Sequence, residues 1–152
     1  MSALARSILV ATDFSQASEL AIEAAALLAK QNQASLTVVH VYVPLPSAPM
    51  VEDPKTGLLM ADDFTRKELH GRLDELAKRK LADIPNVKLA VMASQSAADG
   101  ICHYAEHEDC DMIVISTHGR TGLARMLIGS VAERVVRHAH CPVLTLRSKA
   151  PR

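Results

Sequence analysis

At 152 residues the chain has the length of one domain, since domains run to about 100–200 residues and a chain of this size buries roughly two-thirds of its unfolded surface. Hydrophobic residues at 49% against 22% charged exclude a disordered or fibrous chain, and an aromatic content of 3% makes the core aliphatic. Lys+Arg and Asp+Glu are equal at 17 each, so no long-range field selects nucleic acid or an anionic membrane, and any anion site is local.

Ser7 to Thr12 (SILVAT) is a short, nearly continuous apolar run, as a strand covered on both faces requires. From Gln16 to Gln31 the rhythm changes: Leu20, Ala24, Leu27 and Leu28 recur at helical spacing, Ser15 stands where an N-cap belongs, and alanine is plentiful, which predicts a helix. Ala34 to Val41 (ASLTVVHV) is a second buried strand. Val43 to Ala61 holds four of the seven prolines and reads as a long loop. Asp62 to Ala82 is a long amphipathic helix with Leu69, Leu73 and Leu76 on one stripe and mixed charges on the other side, a solvated face.

Asn86 to Met92 is a third strand, and Ala97 to Glu108 a third helix with Ile101, Tyr104 and Ala105 inward. Asp111 to Ser116 (DMIVIS) is the most strand-like run of all. A fourth helix starts near Ser130, with Val131, Val135 and Ala139 on one face, and Ser130 and Glu133 have the spacing of a capping box. Pro142 to Arg147 (PVLTLR) is a fifth strand, its proline at the first position, where one is tolerated. Strand and helix alternate throughout. The expected architecture is therefore α/β: a three-layer, doubly wound, five-stranded parallel sheet with right-handed crossovers and helices on both faces.

Three cysteines (Cys102, Cys110, Cys141) lack paired spacing, and the start MSALARSILVATDF lacks an apolar stretch ending in a cleavage signal, so a reducing cytoplasm is expected. No apolar run approaches the ~20 residues that cross a bilayer. His103 and His107 stand at i, i+4 near Cys102 and Cys110, a spacing that can seat zinc, but the inward set on that helix turns both outward. His138, His140 and Cys141 form a second cluster read the same way. No metal site and no catalytic cysteine is expected from these residues.

In an open doubly wound sheet, ligands bind outside the carboxyl ends of the strands where the strand order reverses. With the order 3-2-1-4-5, the segment Ala11-Thr12-Asp13 after strand one lies beside Ser116-Thr117-His118-Gly119-Arg120-Thr121-Gly122 after strand four, which runs on to Gly129-Ser130. The second segment has the parts of a phosphate cradle: glycines that admit close backbone approach, a helix N-terminus, and the local charges of Arg120 and Arg125. Neither G-x-x-x-x-G-K-[ST] nor G-x-G-x-x-G occurs, which excludes the P-loop and dinucleotide readings.

These residues resemble the universal stress protein family, specifically its ATP-binding branch. The resemblance runs from ILVATDFS, through HV at the end of strand two, to DMIVISTHGRTGLARMLIGSVAERVVRHAHCPVLTLR, and makes residues 1–152 one domain of an adenine nucleotide alpha hydrolase-like fold. Against the branch motif G-x2-G-x9-G-[ST], Gly119, Gly129 and Ser130 match while Ser116 holds the first position, where a Cβ disfavours positive φ and close ligand approach. The resemblance implies ATP with Mg2+ or Mn2+, its ribose and phosphates held by Ser116, Thr117, His118, Gly119, Arg120, Gly122, Gly129, Ser130 and Val131. Ala11, Thr12 and Asp13 would line the nucleoside, and the Val41 backbone would meet the adenine edge.

The resemblance further implies a cytoplasmic, homodimeric stress-response or signalling module. An apolar fifth strand with Val143, Leu144 and Leu146 independently asks to be covered, and pairing across the 143–147 edge would do so. Two alternatives stand beside this reading. One is an enzyme that slowly hydrolyses ATP or transfers an adenylyl group, against which the site offers no evident general base and no loop lysine. The other is a nucleotide-free dimeric interaction protein, for which the Ser116 departure speaks.

Overall fold

The computed structural model describes residues 5–45, 51–55, 57–59, 61–119 and 128–148. In chain order these form β1 (Ser7–Ala11), α1 (Gln16–Asn32), β2 (Ser35–Tyr42), β3 (Val51–Asp53), β4 (Gly57–Leu59), α2 (Ala61–Lys80), β5 (Val87–Ala93), α3 (Ala97–His107), β6 (Met112–Ser116), α4 (Ser130–His138) and β7 (Val143–Leu146). Five of the strands make one sheet in the order β5-β2-β1-β6-β7, every pairing parallel. Counted within that sheet the order is 3-2-1-4-5, as expected.

The strands are apolar on both faces because both faces are covered. Along β1, Ile8 and Val10 turn into a core shared with α1 and α2, while Leu9 and Ala11 turn into one shared with α3 and α4. β2 divides in the same way, Leu36 and Val38 on the first side and Val39 on the second. On α2, Leu73 and Leu76 are buried and Leu69 packs against them, which matches the predicted stripe. Ile101 and Ala105 of α3 are likewise buried, and Tyr104 packs beside them.

Helix α1 departs from expectation. Its buried face is Ser18, Ala21, Ile22, Ala25, Ala26 and Ala29, while Leu20 and Leu27 are 46% and 58% exposed. Two features accompany that rotation. The alanine face brings the helix backbone close to the sheet, and Glu19 and Glu23 turn toward α2, where Arg79 donates to Glu19 at 2.9 Å and Lys80 to Glu23 at 2.6 Å. The Arg79 hydrogen bond holds the Glu19 carboxyl below its usual range, so its share of stability is present above that range and is lost as the pH falls below it, through the depressed value. Ser15 is the N-cap, its side chain accepting from the Ser18 amide.

Two further expectations are corrected. Between Val43 and Ala61 the chain is not all loop: β3 and β4 pair antiparallel, Val51 opposite Leu59 and Asp53 opposite Gly57, while residues 46–50, 56 and 60 lie outside the described set. Strands this short give no periodic signal among prolines. The capping box at α4 is also absent: Gly129 is the N-cap without a side-chain bond, Ser130 is the first helical residue, and Glu133 takes Arg137 as its partner. Of the face expected on α4, Val135 is buried and Ala139 packs against the core, but Val131 is 38% exposed.

The rotation of α1 predicts a contrast within one helix. Ile22→Ala should cost about 2–5 kcal/mol and Leu27→Ala less than about 0.5 kcal/mol in urea unfolding, whereas the leucine-stripe reading requires the reverse order.

Candidate functional site

β1 and β6 lie side by side and parallel, but the chain leaves β1 toward the α1/α2 layer and leaves β6 toward the α3/α4 layer. That divergence opens a crevice at their carboxyl ends. A cavity of about 250 Å³ occupies it. Ala11, Thr12 and Asp13 form the wall from β1, and Val39, His40 and Val41 the wall from β2. From β6 and the turn after it come Ile115, Ser116, Thr117, His118 and Gly119; from the start of α4, Gly129, Ser130, Val131 and Ala132. Ser18, Ala97 and Ile101 complete it.

The β1 wall is built by short-range hydrogen bonds. The Thr12 amide continues the sheet to the Val39 carbonyl at 3.0 Å, and its hydroxyl meets buried Ser18 Oγ at 2.9 Å while accepting from the Phe14 amide. Asp13 Oδ1 accepts from the Ser15 amide at 2.9 Å. These bonds turn the chain so sharply that Phe14 takes φ 64, a left-handed conformation that costs a residue with a Cβ about 1–2 kcal/mol. His40 Nδ1 lies 2.8 Å from the Thr12 carbonyl, which only accepts, so that nitrogen carries the hydrogen.

The β6 wall is held from two directions. Thr117 gives its amide to the Leu146 carbonyl of β7 at 2.8 Å, and its own carbonyl accepts from the Gly129 amide at 2.5 Å. The second bond brings the start of α4 back onto the end of β6. A Cβ on Gly129 would stand 2.8 Å from that carbonyl, and one on Gly119 2.4 Å from Asp13 Oδ2. Gly119 is therefore where the β6 turn comes close to the β1 wall, and Gly129 where α4 comes close to the end of β6. The first amides of α4 have no intrahelical acceptor, and the cap residue Gly129 has no side chain to offer them, so the helix presents donors and a partial positive charge at the cavity rim.

Of the residues singled out in the sequence, Ala11, Thr12, Asp13, Val41, Ser116, Thr117, His118, Gly119, Gly129, Ser130 and Val131 share this cavity. Arg120 and Gly122, with Arg125, lie outside the described residues. Ser116 does not need a glycine's freedom, contrary to the sequence argument: it ends β6 opposite Leu146, is not among the residues of positive φ, and donates its hydroxyl to the His118 carbonyl at 2.9 Å. Thr117 Oγ1 meets His118 Nδ1 at 3.0 Å.

The sequence reading missed the apolar floor of Val39, Ala97, Ile101 and Ile115, and it missed Gly100. A Cβ on Gly100 would stand 2.7 Å from Val41 Cγ1, so this glycine lets α3 press against the end of β2 and shape the cavity there. The only signal was a glycine within a helical pattern, which marks close packing as often as weakness. His103 and His107 are exposed, and among the described residues no group of three metal-ligating side chains converges. Burial pushes the thiols of Cys102, Cys110 and Cys141 up.

Residues 5–147 match the model of the universal stress protein family. The chain belongs to that family. Universal stress protein MJ0531 of Methanocaldococcus jannaschii is 34% identical over 146 residues, covering 95% of this chain and 83% of the relative. Among solved structures, a universal stress protein in complex with cAMP superposes with a TM-score of 0.75 at 21% identity, covering 96% of this chain and 99% of that one. The Archaeoglobus fulgidus universal stress protein in complex with dAMP gives a TM-score of 0.60 at 23% identity, covering 91% and 95%. Both carry the fold of the present family member.

The two glycines of this universal stress protein differ in what they touch, and substitutions should separate them. Gly129→Ala forces backbone apart and is expected to cost about 1–3 kcal/mol in urea unfolding. Gly119→Ala meets the Asp13 carboxylate, a side chain tied to the Ser15 amide rather than backbone, and should cost less, about 1 kcal/mol or below. Equal costs would refute this account of the rim.

Proposed function

We propose that the cavity binds an adenine nucleotide, ATP with Mg2+ or Mn2+, and that the protein serves as a nucleotide-dependent stress-response or signalling module of the cytoplasm. The observation that carries this reading is the convergence of the β1 and β6 turns on one cavity, with glycine where the β6 turn approaches Asp13 and where α4 approaches the end of β6. An apolar floor suits a purine ring, and the uncapped start of α4 suits phosphate. Two solved relatives of the same fold hold adenine nucleotides, cAMP and dAMP.

The donor set also fits a phosphate-borne cation. Asp13 is the one carboxylate among the described residues of the cavity wall, and Mg2+ is commonly held by one or two carboxylates together with the phosphates of its nucleotide. Such an ion neutralises phosphate charge when bound. Asp13 would then orient the nucleoside and the ion together, and Ser130 and the first amides of α4 would receive the phosphates. Arg120 and Gly122 belong to the same proposed cradle.

β7 supports the homodimer. It borders the sheet, pairing with β6, and Leu144 is 36% exposed while Val143 packs into the α3/α4 core. An apolar border strand is normally covered, and a second copy related by a two-fold axis covers it by presenting the same strand.

Two measurements test these readings. ATP with Mg2+ at 100 times its dissociation constant should stabilise the fold by about 2.7 kcal/mol in a thermal melt, and no shift at millimolar ATP would favour a nucleotide-free interaction protein. Leu144→Glu should turn the dimer into monomer in sedimentation velocity at micromolar protein, and an undisturbed dimer would place the interface elsewhere.

A further inference from the structure

The β1 wall of the cavity is braced from the other side of the sheet. Along β2, Val39 turns into the α3/α4 core, so His40 turns to the α1/α2 side, where its ring meets Phe14 with centroids 4.6 Å apart. The same His40 holds the Thr12 carbonyl. On Phe14 sits a cation: the Arg72 Cζ of α2 lies 4.0 Å from the ring centroid. Contacts thus run from Arg72 to Phe14, to His40, and to Thr12 in the cavity wall. Arg72 itself is no part of that wall.

We infer that Arg72 is a positioning residue for the nucleotide site: its guanidinium, seated on Phe14, holds the β1–α1 turn in the left-handed conformation that sets Thr12 and Asp13. The inference rests on the nucleotide reading given above. Phe14 is the one residue of this turn at positive φ, a conformation that persists only where its surroundings hold it. A cation over an aromatic face is such a hold. The ring also has somewhere to go, because a second cavity of about 160 Å³ is lined by Phe14, Arg72, Leu76, Glu19, Glu75 and Arg79. Without the cation, the turn has room to relax.

Isothermal titration of ATP with Mg2+ into Arg72→Met, Arg72→Lys and Arg79→Met decides the matter. Arg72→Met keeps a long stem without charge and should raise the dissociation constant about threefold to tenfold. Arg72→Lys restores a cation and should recover most of the loss. Arg79 lines the same second cavity but is engaged by Glu19, so Arg79→Met should leave the affinity as it was. In parallel, 15N NMR of the His40 imidazole in nucleotide-free protein, assigned with His40→Gln, should move in Arg72→Met and not in Arg79→Met.

Equal ATP affinity in the parent and Arg72→Met overturns the inference, as does failure of lysine to rescue. If the parent binds no nucleotide at all, it is the nucleotide reading that falls. The imidazole spectrum then judges the bracing alone: an unmoved His40 signal refutes it, and a shifted signal upholds it.

Discussion

The hydrogen bond from the Gly129 amide to the Thr117 carbonyl is the constraint on which the crevice depends. It joins the last residue before the β6 turn opens to the cap of α4. At 2.5 Å it leaves no space for a Cβ, so the glycine is dictated by the closure itself. With α4 fixed there, its first turn meets the β1 wall across the cavity, and the divergence of helices above and below the sheet becomes a bounded site.

The fold was legible where the apolar pattern had one interpretation. β1 and β6 are short unbroken runs that only a doubly covered strand explains, and the α2 stripe of Leu69, Leu73 and Leu76 stands out against its charges. α1 was different. Alanine and leucine surround much of its circumference, so periodicity admitted more than one buried face. The observed face agrees with Arg79 and Lys80, which are distant in sequence and reach Glu19 and Glu23 only after folding.

The site was legible for a related reason. Both turns follow strands that sequence pattern locates well, and the rule for where an open sheet binds ligands put them together. What could not be read were contacts between non-adjacent elements: Gly100 against Val41, the floor from Ile101 and Ile115, and the Arg72, Phe14 and His40 contacts behind the wall. Ser116 shows the opposite failure. Motif logic asked for a glycine's freedom in φ there, whereas the backbone at the end of β6 asks for none.

Thr117 gives its amide to the outermost strand and its carbonyl to the beginning of the last helix. One residue therefore spans the rim of the sheet and the mouth of the crevice. Were another polypeptide or an introduced crosslink on that rim to change how the crevice receives a guest, the guest would by thermodynamic reciprocity act on the rim with the same free energy.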